Sequence, residues 1–560
     1  MKTFPKKIFA SALLSVVALA PFAFADIETL LPASKTVAFA KIENFSELKK
    51  KLKTDELAVE FHTKFFSKIK ENLLAKAEDD SAEKVNAACA WNDAASVAFD
   101  GEIVLACVLP HGDVAVLLIA DCADNFDFEK TTKLFVDADG KGDVEFSDEQ
   151  IAGVSAKVCK SVSKKQPIAF AATIDGKYFL TDNKTALKNA IKAAKKTDAK
   201  MPAGMFASKA FKNARARVKG SDFWYYIDGA TLAETAYKAA ADADKKAAES
   251  ARASGEISLS AMLQFSQIVR AIAPEAIVSI YGFGTIDAAK NYPTETVITW
   301  KQKRGIIAAL LTDAIKSDFE KPAVFPSCAD VVGVSAGSYS FGKATQGLLN
   351  IAREASPVAA LSLDFFMQSL KINNGVDFPA WLAALGYGSY SYAWNGKKIW
   401  AANVSSDAFV LSAAREACNA KDAFVVEKKL PDGQPFFEIP KSKIAFVARD
   451  GKLFVAKTNE LLEFLKISSA QPAPISIWND KTFASLEALL PPGGSSVALM
   501  HVGRALRTAC DGSLPVDVND LDYEEYLPTL GENDFNYLSV TKSYLSGNEF
   551  TVKTRTVKNK

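Results

Sequence analysis

The sequence predicts an α+β protein of two tandem, related domains, each an antiparallel meandering sheet with helices packed on one face. Three features support this prediction: tight Asp-Gly turns between short strand segments, a helical segment after each turn, and similarity between the two halves of the chain. Hairpins with short turns imply antiparallel pairing, and such strands combined with separate helices are typical of α+β folds. We expect the domains to span residues 26–315 and 321–560.

Asp-Gly turns mark the clearest hairpins. Residues 168–174 and 177–181 flank Asp175-Gly176, and the second half repeats this arrangement around Asp450-Gly451. Asp and Gly accept the positive φ angles of a type I′ turn. A further hairpin is predicted at Asn395-Gly396. Its counterpart in the first half is either Asp100-Gly101 or His111-Gly112. We prefer His111-Gly112, because the loop and helix that follow the turn then stay aligned between the two halves.

Self-similarity extends well beyond the hairpins. Five landmarks recur in the same order, and their spacing shrinks from 294 residues between Pro32 and Pro326 to 260 between Ser279 and Ser539. The matched pairs are Leu31-Pro32 with Phe325-Pro326, Asp175-Gly176-Lys177 with Asp450-Gly451-Lys452, Lys209 and Phe211 with Lys481 and Phe483, Gly229 and Leu232 with Gly503 and Leu506, and Val278-Ser279 with Leu538-Ser539. Ordered matches of this kind indicate an internal duplication in which the second copy has lost loop residues.

Helices are predicted from periodicity and composition. Residues 56–77 place apolar side chains at helical spacing, with His62 on the same face, and residues 231–253 are rich in Ala, Lys, Asp and Glu. Helices are also expected at residues 184–195 and 460–466, after the two Asp-Gly hairpins. Each half ends in late strands, such as residues 276–285 and 295–301 in the first. The boundary is placed near residues 312–321, where a helical stretch gives way to Lys-Pro and a new strand.

The first 25 residues have the three parts of a secretory signal peptide. Lys2, Lys6 and Lys7 provide positive charge, residues 8–20 are apolar, and Ala23-Phe24-Ala25 forms a small-residue cleavage site. The apolar stretch is shorter than the ~20 residues that a membrane helix needs, so an uncleaved anchor is the less favoured alternative. We expect a periplasmic or secreted protein that begins at Asp26.

Charge and cysteine content exclude several classes of protein. Removing three signal lysines from the 67 basic residues leaves 64 against 66 acidic ones, too balanced to attract nucleic acid. The apolar runs after the signal are short, so no integral membrane segment is expected after cleavage. The seven cysteines include no Cys-x-x-Cys motif. If residues 110–113 form a turn, Cys107 lies opposite about Val116, and Cys122 is too far out of register to bridge to it.

The start of the mature chain resembles a family of exported bacterial proteins whose function is unassigned. The resemblance is carried by Leu-Pro-Ala-Ser-Lys-Thr, a short strand, and a helix that begins at Asn-Phe-Ser-Glu-Leu, within residues 29–53. The Asp-Gly hairpin and helix of residues 166–195 extend it. The resemblance implies an exported protein but no catalytic residues, because that family has no established activity.

Gly333-Val334-Ser335-Ala336-Gly337 fits the Gly-x-Ser-x-Gly elbow of serine hydrolases, and His501 is the only histidine downstream. At the 294-residue shift, however, this segment aligns with residues 39–43, where a strand ends. His501 aligns with Ile227, also a strand position. We expect a structural strand end here and keep a serine hydrolase that uses Ser335 and His501 as an alternative.

Residues 137–148 resemble a calcium loop, with Asp137, Asp139 and Asp148 at positions one, three and twelve. Asp143 is a further acidic residue of the segment. Lys141 occupies the fifth position, where an oxygen ligand belongs, and the following apolar run has the pattern of a strand. We therefore expect a solvated loop and no cofactor, with a calcium site as the alternative.

Tyr390, Tyr392 and Trp394 alternate along a predicted strand and so share one face, with Trp400 nearby. Such a face either stacks sugar rings or another apolar ligand, or packs beneath helices. We favour the core interpretation. A binder of glycans or hydrophobic ligands at this strand remains an alternative, with an envelope or glycan molecule as its partner.

Taken together, these patterns favour a non-enzymatic exported protein with a binding, envelope or structural role. The chain has three histidines, none at metal-ligand spacing, and Tyr281-Gly282-Phe283-Gly284 lacks the third glycine of a dinucleotide loop. The apolar framework is duplicated, whereas neither half contains a set of residues typical of a reaction centre.

Overall fold

The computed structural model describes residues 30–31, 36–76, 97–110, 114–137, 144–161, 166–195, 204–254, 264–328, 330–470, 474–510 and 527–559. The chain forms two compact units. The first comprises residues up to Leu232 with 278–297 and 510–535, and the second comprises residues 233–277, 298–509 and 536–560. Both combine helices with antiparallel strands, which confirms the α+β class. The predicted signal peptide lies outside the described residues.

The first unit contains a meandering sheet. Its strands are β1 (Thr36–Ile42), β2 (Phe99–Val108), β3 (Ala115–Cys122), β4 (Val144–Ile151), β5 (Val154–Ser161), β6 (Pro167–Ile174), β7 (Lys177–Thr181), β8 (Phe223–Asp228), β9 (Ile277–Gly284) and β10 (Thr294–Trp300), the last two crossing into the second unit at Ile277 and Ile298. The strands pair in the order β4-β5-β6-β7-β3-β2-β1-β8-β9, antiparallel at every step, and β10 follows β9.

Seven described helices precede or follow these strands in the first unit. They are α1 (Phe45–Thr54), α2 (Glu56–Glu60), α3 (Ser67–Lys76), α4 (Phe128–Asp137), α5 (Lys184–Ala194), α6 (Gly204–Ala207) and α7 (Lys209–Arg217). Helix α8 (Gly229–Ser254) starts in this unit and continues in the second, as the predicted long helix over residues 231–253.

The second unit has ten strands of its own. These are β11 (Val331–Gly337), β12 (Leu385–Trp394), β13 (Lys397–Val404), β14 (Val426–Lys429), β15 (Pro435–Ile439), β16 (Ile444–Arg449), β17 (Lys452–Lys457), β18 (Ser496–His501), β19 (Tyr537–Ser546) and β20 (Glu549–Lys558). Their antiparallel order is β14-β15-β16-β17-β13-β12-β11-β18-β19-β20. The order is the same as in the first unit, where it begins at β4 and ends at β10.

The helices of the second unit follow α8 in chain order. They are α9 (Phe265–Ile272), α10 (Gly305–Ile307), α11 (Phe341–Ala355), α12 (Pro357–Asn374), α13 (Phe378–Ala384), α14 (Asp407–Cys418), α15 (Thr458–Ser468), α16 (Lys481–Glu487) and α17 (Val502–Cys510). Short 3-10 turns lie at Pro274–Ala276 and Ile477–Asn479 here and at Ala288–Lys290 in the first unit, and a π-helical turn at Ala308–Thr312. Among the described helices of both units, none is long and apolar enough to cross a membrane.

The three predicted hairpin turns are present. Asp175, Asp450 and Asn395 have φ angles of 49°, 53° and 43°, and each is followed by a glycine at 71–74°. Positive φ at both central positions is the signature of type I′. The Asn395-Gly396 turn joins β12 to β13, which correspond to β2 and β3 in strand order. The preferred counterpart, His111-Gly112, lies outside the described residues, and Asp100-Gly101 lies within β2. Cys107 lies opposite Val116 in the register of β2 and β3, also as predicted.

Helices cover both faces of each sheet, so the prediction of helices on one face is wrong. In the first unit, Leu187 of α5 packs with Phe170 on one face of β6, while Phe128 of α4 packs with Ala169 and Ala171 on the other. In the second unit, α15 lies against one face and α14 against the other. The reason is that strands such as β2 are apolar on both faces, and each face must be covered.

The predicted helix over residues 56–77 is interrupted by a π-helical turn at Phe61–Phe66 between α2 and α3. The wider turn changes the period of side chains around the axis. Phe61 therefore contacts Phe535, with ring centroids 4.6 Å apart, whereas His62 is exposed. The predicted apolar face is displaced by this turn.

Candidate functional site

Ser335 lies inside β11, in the middle of a strand and not at a strand-to-helix turn. Its register partners are Ser391 on β12 and Ala498 on β18, and its Oγ is 2.7 Å from Oγ of Ser391. Helix α11 begins only at Phe341. The Gly-x-Ser-x-Gly segment is a strand, and the nucleophile-elbow interpretation is wrong.

His501 does not complete a hydrolase site with Ser335. It lies three positions beyond Ala498, the register partner of Ser335, so the two side chains point to opposite faces of the sheet. His501 is 7% exposed, and its Nδ1 accepts the backbone N–H of Arg504 over 3.3 Å at the start of α17. Burial, and then the charge of Arg504, lower the pKa of His501. This histidine has a capping role.

Three of the four predicted aromatic binding residues belong to the core. Tyr390, Tyr392 and Trp394 are 1–3% exposed and pack beneath α15, with Phe325 stacked on Tyr392 at a centroid distance of 5.4 Å. Trp400 points to the opposite face, where its ring meets Phe341. The alternative prediction that these four residues form a stacking surface is therefore wrong, because three rings are covered and the fourth is on another face.

Half of the predicted calcium loop, residues 138–143 with Asp139 and Asp143, lies outside the described residues. Asp137 ends α4, and Asp148 lies in β4, where its carboxylate is 3.2 Å from Nζ of Lys157. Within the ranges that the structure describes, no group of three or more His, Cys, Asp or Glu side chains is placed to hold a metal ion.

Two ionisable side chains point into the first unit from the end of β1. Residues at alternate positions of a strand share a face, so Phe39, Lys41 and Glu43 point the same way, and Phe39 is part of the core. Lys41 is 1% exposed and Glu43 is 5% exposed. Charged groups buried to this extent require partners, because desolvation of a lone charge is costly.

Lys41 and Glu43 are joined in a buried network. Nζ of Lys41 lies 2.7 Å from Oε1 of Glu102 and 3.2 Å from Oε2 of Glu43. Oε1 of Glu43 accepts hydrogen bonds from Nη1 of Arg215 at 2.8 Å and from Nε1 of Trp224 at 2.6 Å. Two cations and two carboxylates make the network neutral overall.

Strand register and one helix cap bring these groups together. Trp224 on β8 lies directly opposite Lys41, and Glu102 precedes Ile103, the register partner of Ile42 on β2. Arg215 comes from α7, and the N-cap of that helix is Ser208, whose Oγ accepts the backbone N–H of Phe211. A capped helix start fixes the direction of α7 and hence the position of the guanidinium.

A half-open pocket of about 470 Å³ lies over this network. Its described lining includes Glu43 and Arg215 of the network, the rings of Phe206 and Phe211, the lysines Lys212 and Lys219, and Ser221. The two rings meet edge to face with centroids 5.1 Å apart. The pocket therefore combines an apolar wall with charged groups.

The lining has unused polar capacity. Lys212 and Lys219 are exposed and form no ion pair with any described acidic side chain. Ser221 is 4% exposed, and its Oγ has no hydrogen-bond partner among the described residues. Because the network beneath is neutral, the two lysines give the pocket an excess of positive charge. Such a site can hold a negatively charged group beside an apolar one.

Three of the matching positions of the second unit are uncharged, whereas Arg215 is matched by Glu487, whose carboxylate is 3.1 Å from Nζ of Lys542. Ser335 occupies the place of Lys41, Gly337 that of Glu43, and Ala498 that of Trp224, as the shared strand register requires. The Lys41–Glu43 ion pair is therefore not repeated at these positions of the second unit. The sequence carries one signal of this site that was missed, Lys41 and Glu43 at alternate positions of an otherwise apolar strand.

No protein-family model matches the chain, and no curated protein matches it. Among solved structures, crystal form III of TP0453 is similar at a TM-score of 0.27 and 8% identity, over 54% of this chain and 90% of that chain. Crystal forms I and IV of the same protein have TM-scores of 0.23 and 0.24, each at 8% identity over 50% of this chain and 79% and 81% of theirs. Similarity at this level carries no inference about function.

Proposed function

We propose that this chain is an exported, non-catalytic binding protein built from two copies of one α+β unit. In this proposal the first copy binds a small anion that has an apolar part, in the pocket over Glu43. The observation that carries the proposal is the combination of two unpaired lysines, two aromatic rings and an unsatisfied buried hydroxyl around one opening.

The charge of the pocket favours an anion. The Lys41, Glu43, Glu102 and Arg215 side chains neutralise one another, so they neither attract nor repel a ligand strongly at long range. Lys212 and Lys219 remain available to meet a carboxylate or phosphate. Ser221 supplies a hydroxyl that can donate a further hydrogen bond to the same group.

The rings of Phe206 and Phe211 favour an apolar part next to the anionic group. Phe211 is 6% exposed and anchored in the core, whereas Phe206 is only partly buried. An aromatic wall on a rigid core element gives contact area with little loss of conformational freedom. A volume of about 470 Å³ suits a ligand of small-molecule size.

A binding role is favoured over catalysis by the state of the lining groups. The described lining contains no imidazole or thiol, and Glu43 is held by Lys41, Arg215 and Trp224. A general base must come within hydrogen-bond reach of a substrate proton, and a carboxylate that is 5% exposed and held by three neighbours is poorly placed to do so. Ser221 has no described base next to it to activate its hydroxyl.

The identical strand order of the two units supports the duplication. Ten strands in each unit follow the same sequence of neighbours, and the Asp175 and Asp450 turns occupy equivalent hairpins. Uncharged residues in place of Lys41 and Glu43 in the second copy fit a duplicate that kept its scaffold and lost this site. Export, predicted from the first 25 residues, places the site in a periplasmic or extracellular compartment.

Isothermal titration calorimetry of the mature chain tests the proposed function. We expect octanoate or phenyl phosphate to bind about tenfold or more tightly than their neutral analogues octanamide and benzyl alcohol. Lys212→Glu with Lys219→Glu is expected to abolish that preference. Lys209→Glu, on the same helix as Lys212 but outside the lining, is the matched control and leaves binding unchanged. Equal binding of anions and neutral analogues, or no effect of the paired substitution, contradicts the proposal.

A further inference from the structure

Helix α12 of the second unit is a well-terminated 18-residue helix. Ser356 caps its start by accepting the backbone N–H of Ala359, and Pro357 occupies the first turn. Gly375 ends it at φ 65°, donating its N–H to the carbonyls of Leu370 and Lys371. Caps at both ends make a rigid rod of roughly 27 Å.

This helix has an apolar face that no described part of the chain covers. Leu361, Phe365 and Ile372 are 72%, 73% and 69% exposed, and Val358 is 36% exposed. Their spacing of three, four and seven residues places them along one stripe. Phe366, at the edge of the stripe, is 58% exposed. We call these five residues the α12 stripe.

The opposite side of α12 is also apolar. Met367 is 8% exposed there, with Leu363 and Leu370 partly buried against the rest of the unit. A surface helix of a monomer normally has a polar outer face, and a helix that is apolar all round is normally buried on all sides. The α12 stripe therefore has the composition of a covered surface.

The size of the stripe suits association with an equal partner. Two mostly exposed Phe side chains with Leu, Ile and Val present roughly 500–600 Å² of apolar area, at the upper end for a monomer surface. Two such stripes packed together would bury roughly 1,000–1,200 Å², which reaches the lower limit for a specific protein interface.

Charges beside the stripe favour an antiparallel arrangement of two identical helices. Asp364 and Lys371 lie on the same edge of α12, two turns apart, and have opposite signs. In an antiparallel pair the same edges meet, so Asp364 faces Lys371 of the partner subunit, and the reverse. Among the described residues Asp364 pairs with Arg353 at 2.8 Å and Lys371 with Asp377 at 2.7 Å, and all four side chains are at least 31% exposed. Exposed pairs of this kind are weak and can be shared.

We propose that a second copy of this chain docks on the α12 stripe, with the two helices antiparallel about a two-fold axis near Met367 and Gln368. The proposal is independent of the pocket in the first unit. In this dimer the partner's α12 covers the exposed rings of Phe365 and Phe366. The charged edge of each helix then faces an edge of complementary charge.

Sedimentation velocity of the mature chain over a range of concentrations tests this arrangement. We expect a reversible dimer for the wild type and a monomer for Leu361→Asp with Phe365→Asp, both folded by circular dichroism. Ile475→Asp, at an apolar residue of the same unit that is 68% exposed and is not part of α12, is the matched control and leaves the dimer intact.

A charge exchange defines the geometry. Asp364→Lys places like charges along the paired edges, as does Lys371→Asp, so each variant alone is expected to dimerise at least tenfold more weakly. Mixing the two variants restores complementary edges and association. A wild-type monomer at high micromolar concentration overturns the proposal. So does a monomer that binds phosphatidylcholine and phosphatidylglycerol vesicles through Leu361 and Phe365, because the cover is then a lipid surface.

Discussion

Trp224 donates its indole N–H to Oε1 of Glu43 over 2.6 Å, and this hydrogen bond joins β8 to the charged end of β1. The guanidinium of Arg215 pairs with the same oxygen and lies 5.4 Å from the centre of the Trp224 ring. The neutral indole adds a second hydrogen bond to Oε1 without adding a third cation. The network therefore stays neutral, and the charge that a ligand meets comes from the lysines on the rim.

Lys41→Met should destabilise the first unit strongly. The substitution leaves Glu102 and Glu43 buried beside each other without the cation that separates them, and breaking a buried pair in this way costs about 3–5 kcal/mol. Scanning calorimetry should show a lower unfolding midpoint, and adding Glu102→Gln should recover part of it by restoring neutrality. Lys50→Met, which removes an exposed pair with Glu47 on α1, is the control and should leave the midpoint unchanged. A tolerated Lys41→Met would show that the network is unimportant for folding.

Gly176→Ala and Gly451→Ala should have equal costs if the two hairpins are equivalent. Both glycines have φ near 70°, at 74° and 71°, and a Cβ at either position meets no atom within 4 Å. Backbone strain alone then sets the cost, about 1–2 kcal/mol per site. Asp175→Asn and Asp450→Asn are matched controls, because Asn also accepts positive φ. Clearly unequal shifts of the two unfolding midpoints would contradict the equivalence of the turns.

The hairpins were predictable because their signal is local: two adjacent residues determine the turn type. Asp175-Gly176 and Asp450-Gly451 both have the residue types that a type I′ turn favours. The turn at Ala152-Gly153 was not predictable, since Ala carries no turn preference, although its φ is 51°. The pocket depends on Glu43, Glu102 and Arg215, which are up to 172 residues apart and meet only through strand register. Periodicity indicates which face a residue occupies, but not which residue of another strand lies opposite.

Tyr392→Ala should destabilise the second unit. Its ring is stacked on Phe325, and its hydroxyl donates to the carbonyl of Pro326 over 2.8 Å. Removing a fully buried aromatic ring costs about 3–5 kcal/mol, whereas Tyr392→Phe loses only the hydrogen bond, about 1 kcal/mol. Calorimetric midpoints of the two variants measure the difference. Should Tyr392→Ala leave the midpoint in place and abolish binding of a glycan, the core assignment of this strand would be wrong.

His501→Asn should alter how stability depends on pH. Burial and Arg504 hold the pKa of His501 below its ordinary value of 6.5, so the folded protein binds fewer protons than the unfolded chain just below that pH. Stability therefore rises with pH through this interval and levels off above about pH 6.5. Asn can still accept the N–H of Arg504 but cannot titrate, so the wild type should lose more stability than the variant on acidification. Urea midpoints of both proteins between about pH 5 and 7 give that difference. His62→Asn, at an exposed helical position, controls for loss of an imidazole, and a wild-type-minus-variant difference that is flat or grows toward acid pH would refute the assignment.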